Sequence, residues 1–457
     1  MSAQDTIAAV ATPPGRGGVA IVRISGPEAE NVALALCRLN SPQPRRAYFR
    51  RFECEGEVLD EGLAIFFKGP LSYTGEDVLE LQGHAGLIAP QRVLKAVLSL
   101  PGVRMAQPGE FTQRAFLNGK LDLTAAEAVE DLISAGTEGA ARAALSSLQG
   151  LFAQRIEELN EELTRFRVRI EACLDFPEEH EDFFDTGVAR ENLQHLEANY
   201  TDLLAKTRQG VRLTQGARVV LSGAPNAGKS SLLNALCGRE QAIVTPIPGT
   251  TRDVLSAEIE LLGVPLTLTD TAGLREKPDD PIEAIGIERA LDKLKDADLA
   301  LYLIDGSVEI PSAPEALQRL ANLGLEKQQI ALIITKADLK TCSETTKLLE
   351  QSPLNAYDQI KSSTKTQGGL DALRDYLQNK LDVMPHEGLC TARIRQLEAL
   401  QNSYTELKEA ISLLEYGDLV LCAGRVRAAQ DHLGKITGKI SSDDILGKIF
   451  STFCIGK

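Results

Sequence analysis

The sequence predicts a multidomain protein in which an α+β N-terminal domain precedes an α-helical bundle, and an α/β domain is inserted in that bundle. Three observations predict this fold class. Short β-like runs alternate with Gly/Pro turns over residues 1–120. Apolar residues recur at helical spacing over both 121–212 and 381–457, and a block with strand, loop and helix signals at 213–380 separates those stretches. A length of 457 residues suits about three domains at roughly 150 residues each.

The composition is that of an ordinary globular protein with an acidic balance. Hydrophobic residues make up 43% and charged residues 25%, and the formal net charge is −15. The acidic excess lies mainly in 121–212. Such a chain lacks the broad positive surface of a non-specific nucleic-acid binder, although the arginine pairs at 45–46 and 50–51 could meet phosphates locally. We interpret those pairs as a solvated face.

Cysteine usage and hydropathy predict a reduced, cytoplasmic protein. The eight cysteines form no C-x-x-C pair and do not cluster with the five histidines, which argues against a disulfide framework or a zinc site. Apolar runs such as 299–304 are far shorter than the roughly twenty residues that a membrane span needs. We therefore expect no membrane association.

The first domain is expected to contain a sheet. Residues 19–24, 63–67 and 78–81 are β-like and are separated by turn residues and helical patches.

Long amphipathic helices are predicted on both sides of the central block. Their apolar positions recur at alternating steps of three and four: Phe152, Ile156, Leu159, Leu163, Phe166, Ile170 and Cys173, then Leu193, Leu196, Tyr200 and Leu203, and after the block Leu397, Leu400, Tyr404, Leu407, Ile411 and Leu414. We expect the helices before and after the block to bury these stripes against each other, which makes the block an insertion. Two separate helical pieces are the alternative.

The central block opens with a phosphate-binding loop. A strand-like run at 218–222 leads into 223–230 (GAPNAGKS), a complete G-x-x-x-x-G-K-S, and then into an apolar helical run. Glycines allow the loop amides to point at a phosphate, Lys229 can neutralise β- and γ-phosphate oxygens, and the Ser230 hydroxyl can ligate Mg²⁺.

Later motifs in the block indicate guanine nucleotide. Residues 266–273 (LTLTDTAG) end a strand with Asp270 and the Gly273 amide, which suit the magnesium shell and the γ-phosphate. A buried-type strand ends in T-K-x-D, whose Asp338 can accept two hydrogen bonds from guanine, whereas adenine offers no such donor pair. Thr251, within the G-T-T-R-D of 249–253, is the expected second magnesium ligand.

Across 213–380 the block resembles the Ras-like GTPases of the translation-factor class. The GTP-binding residues that we predict are Asn226, Ala227, Gly228, Lys229, Ser230, Ser231, Thr245, Pro246, Ile247, Pro248, Gly249, Thr250, Thr251, Asp270, Thr271, Ala272, Gly273, Thr335, Lys336, Ala337, Asp338, Ser363, Thr364 and Lys365. Thr335 stands where most members have Asn, which predicts a lower affinity for the base.

Leu274 stands where Ras-type enzymes place the glutamine that orients water. Another polar group must therefore serve hydrolysis, and the candidates follow it: Glu276, Asp279, Asp280, Glu283 and Glu288. Transition-state charge needs a cation, either Arg252, Arg275 or K⁺ held by the Asn226 amide oxygen and by carbonyls of the loop at 245–250.

The whole chain resembles the MnmE (TrmE) family of tRNA wobble-uridine modification GTPases. The segments that carry the resemblance are 5–9 (DTIAA), 15–26 (GRGGVAIVRISG), 70–77 (PLSYTGED), 108–120 (PGEFTQRAFLNGK), 175–179 (DFPEE) and 453–457 (FCIGK).

The resemblance implies a tetrahydrofolate-binding N-terminal domain that also forms the homodimer. Folate contacts map to Arg23, Glu80, Lys120 and Lys457, and the ligand is a 5,10-methylene or 5-formyl form. The departure from H-G-G at residues 84–86 leaves His84 without an assigned catalytic role.

For the inserted domain, the resemblance implies K⁺-dependent pairing of G domains across their switches. It implies Asn226 as a K⁺ ligand with Thr245, Ile247 and Thr250 as sources of loop oxygens, and Glu283 as the residue that positions water. Catalytic roles are thereby predicted for Glu283, Lys229 and Asn226.

Cys454 has three interpretations. It formally resembles a prenylation box, although Gly456 and a terminal Lys fit that motif poorly. It could attack the uracil ring or act as a thiol near the folate, or it could be a buried packing cysteine in a docked tail.

Together with the GTPase motifs, the resemblance implies a homodimeric, K⁺-stimulated GTPase that acts with the FAD-dependent partner MnmG. It would add an aminomethyl or carboxymethylaminomethyl group at carbon 5 of wobble uridine 34 in certain tRNAs. The alternative is a GTP-switched assembly factor of the Era/Der kind, without modification chemistry. The folate-type motifs and residues 453–457 argue against that alternative.

Overall fold

A computed structural model describes residues 5–175, 188–239, 256–261, 263–270, 297–309, 321, 325–350, 353–381, 389–440 and 443–456. The chain divides into two compact units. Unit 1 comprises 1–130, 147–198 and 399–457, and unit 2 comprises 131–146 and 199–398. The predicted domain boundaries at 120, 212 and 380 stay predictions.

The N-terminal part of unit 1 is a six-stranded sheet covered by helices. Its elements are β1 (Thr6–Val10), β2 (Ala20–Ser25), α1 (Ala29–Cys37), β3 (Ala47–Cys54), β4 (Glu57–Phe67), β5 (Val78–Gly83), α2 (Ala89–Leu98), β6 (Val103–Met105) and α3 (Glu110–Leu117). The strand order is β3-β4-β5-β2-β1-β6, and only the β1–β6 pair is parallel. The predicted strands at 19–24, 63–67 and 78–81 are confirmed within β2, β4 and β5.

One face of this sheet makes a core with α1 and α2. Alternate residues of β2 and β5, among them Ile24, Leu79 and Leu81, are buried there with apolar residues of both helices. The intervening positions point to the opposite face, because successive strand residues alternate sides. That face carries Arg23 and Glu80.

In the described residues that follow there are four helices: α4 (Leu123–Ser134), α5 (Glu138–Leu148), α6 (Leu151–Asp175) and α7 (Val188–Gln215). All seven apolar positions predicted for the first long helix are buried in α6. The four positions predicted for the second, 193, 196, 200 and 203, are buried in α7. The spacing of three and four residues between apolar positions therefore correctly predicted the buried faces of α6 and α7.

The sheet of unit 2 is mainly parallel. Its elements are β7 (Ala217–Gly223), α8 (Lys229–Arg239), β8 (Ser256–Leu261), β9 (Val264–Asp270), β10 (Leu299–Asp305), β11 (Ile330–Thr335), α9 (Ser343–Glu350), β12 (Asp358–Lys361) and α10 (Asp371–Lys380). The strand order is β12-β11-β10-β7-β9-β8, and only the β8–β9 pair is antiparallel. Ala300, Leu301 and Ile333 are fully buried, as expected for central strands of a parallel sheet.

Three helices end the chain: α11 (Ile394–Glu415), α12 (Leu419–Thr437) and α13 (Asp443–Ser451). Within unit 1, α12 packs along α6. The Gln430 side chain accepts a hydrogen bond from Arg167 Nη1 at 2.6 Å and donates one to Thr164 Oγ1 at 2.7 Å. Helices from before and after the α/β block therefore pack together, which confirms the predicted insertion.

The buried face of α11 differs from the predicted stripe. Of the six predicted positions only Leu400 and Leu407 are buried, and the rest are partly exposed. Small residues occupy the buried face instead, and the Ser403 hydroxyl donates to Ala429 O of α12 at 2.8 Å. The buried positions of α11 therefore do not follow its largest apolar residues.

Candidate functional site

The loop between β7 and α8 is shaped by three residues with positive φ. Gly223 has φ +144°, and a Cβ there would lie 2.5 Å from Leu303 O. Asn226 has φ +64° and Gly228 has φ +97°. Asn tolerates the left-handed region better than most residues with a Cβ. The chain therefore turns tightly before α8 begins at Lys229, and the amides of the first helical turn can face an anion.

Lys229 lies within the curve of this loop. Its side chain reaches back so that Nζ donates to Gly223 O at 2.8 Å and to Ala224 O at 2.9 Å, and the residue is only 7% exposed. A lysine ammonium within this loop is suited to bind the β- and γ-phosphates of a nucleotide.

The register of the parallel strands brings the other motifs to the same edge of the sheet. Gly223 pairs with Leu303 of β10, and the end of β9 at Asp270 pairs with β7. Asp305 at the end of β10 pairs with Thr335 at the end of β11. Ligands of open α/β sheets bind at the carboxyl ends of the strands, so this edge is the expected binding site.

Thr335 connects the end of β11 to the phosphate-binding loop. Its hydroxyl lies 2.7 Å from Ala227 O and 3.1 Å from Ile304 O, and the residue is buried. A hydroxyl has one hydrogen to donate, so the two carbonyl oxygens share it. The threonine that replaces the usual asparagine still ties the T-K-x-D motif to the loop.

Lys336 and Asp305 form an ion pair beside Thr335. Lys336 has φ +56°, and its Nζ bonds Asp305 Oδ2. Asp305 Oδ1 accepts from the Ser307 amide at 3.0 Å and from the Ser307 hydroxyl at 2.6 Å. Burial acts to raise the pKa of Asp305, but the hydrogen bonds from Lys336 and Ser307 outweigh it and hold that pKa below its ordinary value.

Asp338 is exposed at the mouth of the site and is oriented by the next loop. The buried Ser363 donates its hydroxyl proton to Asp338 Oδ1 at 2.6 Å, and this bond lowers the pKa of Asp338. The Ala337 amide donates to Ser362 O at 3.1 Å. A carboxylate has about four lone-pair positions, so Asp338 keeps capacity to accept two further N–H donors.

A second candidate site lies on the face of the unit 1 sheet opposite α1 and α2. Arg23 of β2 and Glu80 of β5 are direct cross-strand partners, and Arg23 Nε lies 3.0 Å from Glu80 Oε1. The Arg23 guanidinium also lies 5.4 Å from the ring centre of Tyr73 and 5.7 Å from that of Phe111. A cation, an acid and two aromatic rings are therefore grouped together.

The loop that contributes Tyr73 also contacts Lys120, whose Nζ donates to Pro70 O at 3.0 Å. The C-terminal tail docks on the same unit. The Gly109 amide donates to Cys454 O at 3.3 Å, and Phe453 is buried beside α13, whereas Cys454 is exposed. The tail is thus anchored by its backbone and by Phe453.

Two general expectations concern the described part of the chain. Its eight cysteines are all free. Within the described ranges, no group of three His, Cys, Asp or Glu side chains could hold a metal ion. Nor does any helix there combine the length and apolar character needed to cross a bilayer.

Comparison with known proteins identifies the family. A family model described as "GTP-binding protein TrmE N-terminus" matches residues 6–120, and one described as "MnmE helical domain" matches residues 123–454. The tRNA modification GTPases MnmE of Yersinia pseudotuberculosis (serotype O:1b, strain IP 31758) and Yersinia pestis (bv. Antiqua, strain Angola) are each 47% identical over 464 residues, covering 100% of both chains. The chain belongs to the MnmE family.

Solved structures also resemble part of this MnmE family member. The G domain of the T. maritima FeoB iron transporter is 25% identical, with a TM-score of 0.26, and the alignment covers 36% of this chain and 98% of that one. Aquifex aeolicus Era bound to GDP.AlF4- is 22% identical, with a TM-score of 0.28, over 41% of this chain and 66% of that one.

The structure brings many of the predicted MnmE-type residues together at the two sites. At the sheet edge of unit 2 these are Asn226, Ala227, Gly228, Lys229, Ser230, Ser231, Thr335, Lys336, Ala337, Asp338, Ser363, Thr364 and Lys365. In unit 1, Arg23 and Glu80 are in contact, and Lys120 lies at the loop that carries Tyr73.

Other predicted residues lie outside the described residues. These are Thr245, Pro246, Ile247, Pro248, Gly249, Thr250, Thr251, Thr271, Ala272, Gly273, Glu283 and Lys457; for Asp270 only the backbone is described.

Asp305 and Ser307 lie at the candidate nucleotide site of this MnmE family member, and the motifs did not reveal them. The available signal is that Asp305 ends a continuous apolar run next to the T-K-x-D strand. The strand register then places its carboxylate beside Lys336.

Proposed function

We propose that this chain is a K⁺-stimulated GTP hydrolase that acts in tRNA modification. With the FAD-dependent partner MnmG, it adds an aminomethyl or carboxymethylaminomethyl group to carbon 5 of wobble uridine 34, and the one-carbon unit comes from a tetrahydrofolate derivative. It works as a cytoplasmic homodimer. The family membership over the full length supports tRNA modification by a GTPase.

The main support for guanine nucleotide binding is the hydrogen-bonded connection between the phosphate-binding loop and the T-K-x-D motif. The Thr335 hydroxyl donates a hydrogen bond to Ala227 O in the loop. Asp338, three residues after Thr335, is oriented by a hydrogen bond from the Ser363 hydroxyl. One end of the site therefore suits a triphosphate and the other suits guanine. An adenine base has no pair of adjacent donors to satisfy Asp338.

Magnesium fits this site although the described residues contain no acidic cluster. Mg²⁺ is usually bound by few protein groups together with phosphate oxygens and water. The Ser230 hydroxyl, in the first turn of α8, would supply one ligand, and Thr251 the other. The ion would neutralise charge that develops on the phosphates.

Lys229, Asn226 and Glu283 are the proposed catalytic residues. Lys229 neutralises the phosphate oxygens, and Glu283 positions water because Leu274 cannot. Asn226 lies exposed at the turn of the loop, where its amide oxygen can help to hold K⁺ with oxygens from Thr245, Ile247 and Thr250. A monovalent cation there would replace the charge of an arginine finger.

The region around Arg23 and Glu80, on the face of the unit 1 sheet opposite α1 and α2, is the proposed folate site. Glu80 can accept from pterin N–H groups, while Lys120 and Lys457 suit the glutamate carboxylates of the folate. Tyr73, which is partly exposed beside Arg23, offers aromatic surface for a flat ring. A role for Cys454 in the same chemistry is proposed on its exposure next to the anchored Phe453.

The decisive experiment for modification is nucleoside analysis of tRNA. Cells that lack the protein should lose the modified wobble uridine, and a plasmid copy should restore it. Unchanged modification would support the alternative, a GTP-switched assembly factor of the Era/Der kind.

A test of the K⁺ proposal needs a substitution of Asn226 that is compatible with the backbone conformation of the loop. Asn226 has φ +64°, so Asn226→Ala would introduce strain as well as remove the amide. Asn226→Gly removes the amide and tolerates that φ. We expect K⁺ but not Na⁺ to accelerate GTP hydrolysis by the unchanged chain, and both variants to lose the acceleration. Equal rates in the two salts would contradict the proposal.

A further inference from the structure

We propose that Asp305 is a positioning residue of the guanine site that acts through Lys336. It would hold the lysine in the conformation that accommodates the nucleotide, and so raise the affinity for GDP and GTP without touching them. The inference rests on the proposed function, since it assumes that guanine nucleotide binds at T-K-x-D.

The first support is the placement of Asp305. It ends β10 directly opposite Thr335, the last residue of β11, and Lys336 follows Thr335 in the chain. Adjacent strands of a sheet are about 4.8 Å apart. The carboxylate at the end of one strand is therefore within reach of the side chain at the end of its neighbour, and the ion pair is formed.

The second support is that Asp305 is itself fixed. The side chain is 13% exposed, and its Oδ1 accepts two hydrogen bonds, from the Ser307 amide at 3.0 Å and hydroxyl at 2.6 Å. Oδ2 is left to face Lys336. The position of the carboxylate is therefore set by Ser307 independently of Lys336.

The third support is the conformation of Lys336. Lysine carries more rotamer entropy than most residues, and this one also adopts a left-handed φ of +56°. An unrestrained lysine would have to be ordered when a nucleotide binds. Because the ion pair orders it beforehand, part of that cost is removed from the binding equilibrium.

The test measures the dissociation constant of fluorescent GDP with the full chain. Asp305→Asn keeps the shape of the side chain and its contact with Ser307 but removes the charge. We expect it to weaken GDP binding by about tenfold. In hydrolysis assays KM should rise by a similar factor while kcat stays within about twofold, because Asp305 does not contact the phosphates.

The matched control is Asp358→Asn. Asp358 also pairs with a lysine, Lys380 at 3.0 Å, and with a hydroxyl, that of Tyr376 at 2.8 Å, at the start of β12. It is not part of the candidate site, so its substitution should change GDP affinity by less than twofold.

A double-mutant cycle separates positioning from a structural effect. If Asp305 acts through Lys336, Asp305→Asn should cost less than twofold in a Lys336→Met background. Should Asp305→Asn not fold, Ser307→Ala serves instead, with an expected loss of two- to threefold that likewise disappears in Lys336→Met. Equal GDP affinities of Asp305→Asn and the unchanged chain, or full additivity with Lys336→Met, would overturn the inference. If the unchanged chain does not bind GDP, it is the proposed function that fails.

Discussion

The Thr335 hydroxyl has one hydrogen, yet two buried carbonyl oxygens depend on it. Thr335→Val keeps the shape and leaves both oxygens with one donor fewer. Loss of a buried hydrogen bond typically costs 1–3 kcal/mol, so we expect GDP affinity to fall by about tenfold, measured by titration with fluorescent GDP. Thr346→Val is the control, because its hydroxyl bonds a carbonyl on the exposed surface of α9. An unchanged affinity for Thr335→Val would show that this contact does not support the site.

Gly223 is the residue whose backbone most restricts substitution in the phosphate-binding loop. Its φ of +144° is accessible almost only to glycine, and a Cβ would press on Leu303 O. We expect Gly223→Ala to lower the free energy of unfolding by about 2 kcal/mol or more and to abolish measurable GDP binding.

The comparison variant for Gly223 is Gly238→Ala in α8. A Cβ at Gly238 would meet nothing within 4 Å, and helical Gly to Ala changes usually stabilise by about 0.5–1 kcal/mol. Urea unfolding of both variants checks the pair. A Gly223→Ala protein as stable as the unchanged chain would mean that the loop can relax.

At the scale of elements, the α6–α12 contact depends on a polar side chain between two apolar faces. Gln430 of α12 accepts from Arg167 and donates to Thr164 and Asn160 Oδ1 of α6. Gln430→Leu would leave these groups without their partner, at a cost of about 1–3 kcal/mol. Thermal unfolding should show a lower midpoint. Gln154→Leu on the exposed side of α6 should have little effect, and equal midpoints for both variants would contradict the argument.

Helical spacing predicted elements better than it predicted which side of an element is buried. In α6 the large apolar residues and the buried face coincide, because Leu159, Leu163 and Ile170 fill the space against neighbouring helices. In α11 the buried positions include the small residues Ala399, Ser403 and Ala410, and the Ser403 hydroxyl bonds Ala429 O of α12. A pattern of hydrophobic residues cannot reveal a face that is buried because its side chains are small.

The nucleotide motifs were predictable because their chemistry is local in sequence. The loop at 223–230 has its own glycines, and T-K-x-D lies within four residues. The Thr335–Ala227 bond and the Asp305–Lys336 pair depend on strand order, which places β11 beside β10 and β10 beside β7. Residues distant in sequence meet there, so no spacing rule could indicate those contacts.

At the scale of the whole molecule, the inserted block was predictable from the return of helical spacing after it, but its contacts with short helical segments were not. Residues 131–146, which read as helical sequence, belong to unit 2. There the Thr137 hydroxyl donates to Gly263 O, in the turn between β8 and β9, at 2.5 Å, and the Thr391 amide donates to Ala143 O at 3.3 Å. These bonds join segments more than a hundred residues apart.

The division into two compact units predicts that nucleotide binding stabilises one unit selectively. A ligand present at about 100 times its dissociation constant stabilises the folded form by about 2.7 kcal/mol, which slows hydrogen exchange through unfolding about a hundredfold. With GDP we expect this slowing at the amides of β10 and β11, in unit 2, and less than a twofold change in β2 and β5, in unit 1. Mass spectrometry of exchanged peptides measures both, and ATP serves as the control. Equal slowing in both sheets would show that the units unfold as one and would contradict the prediction.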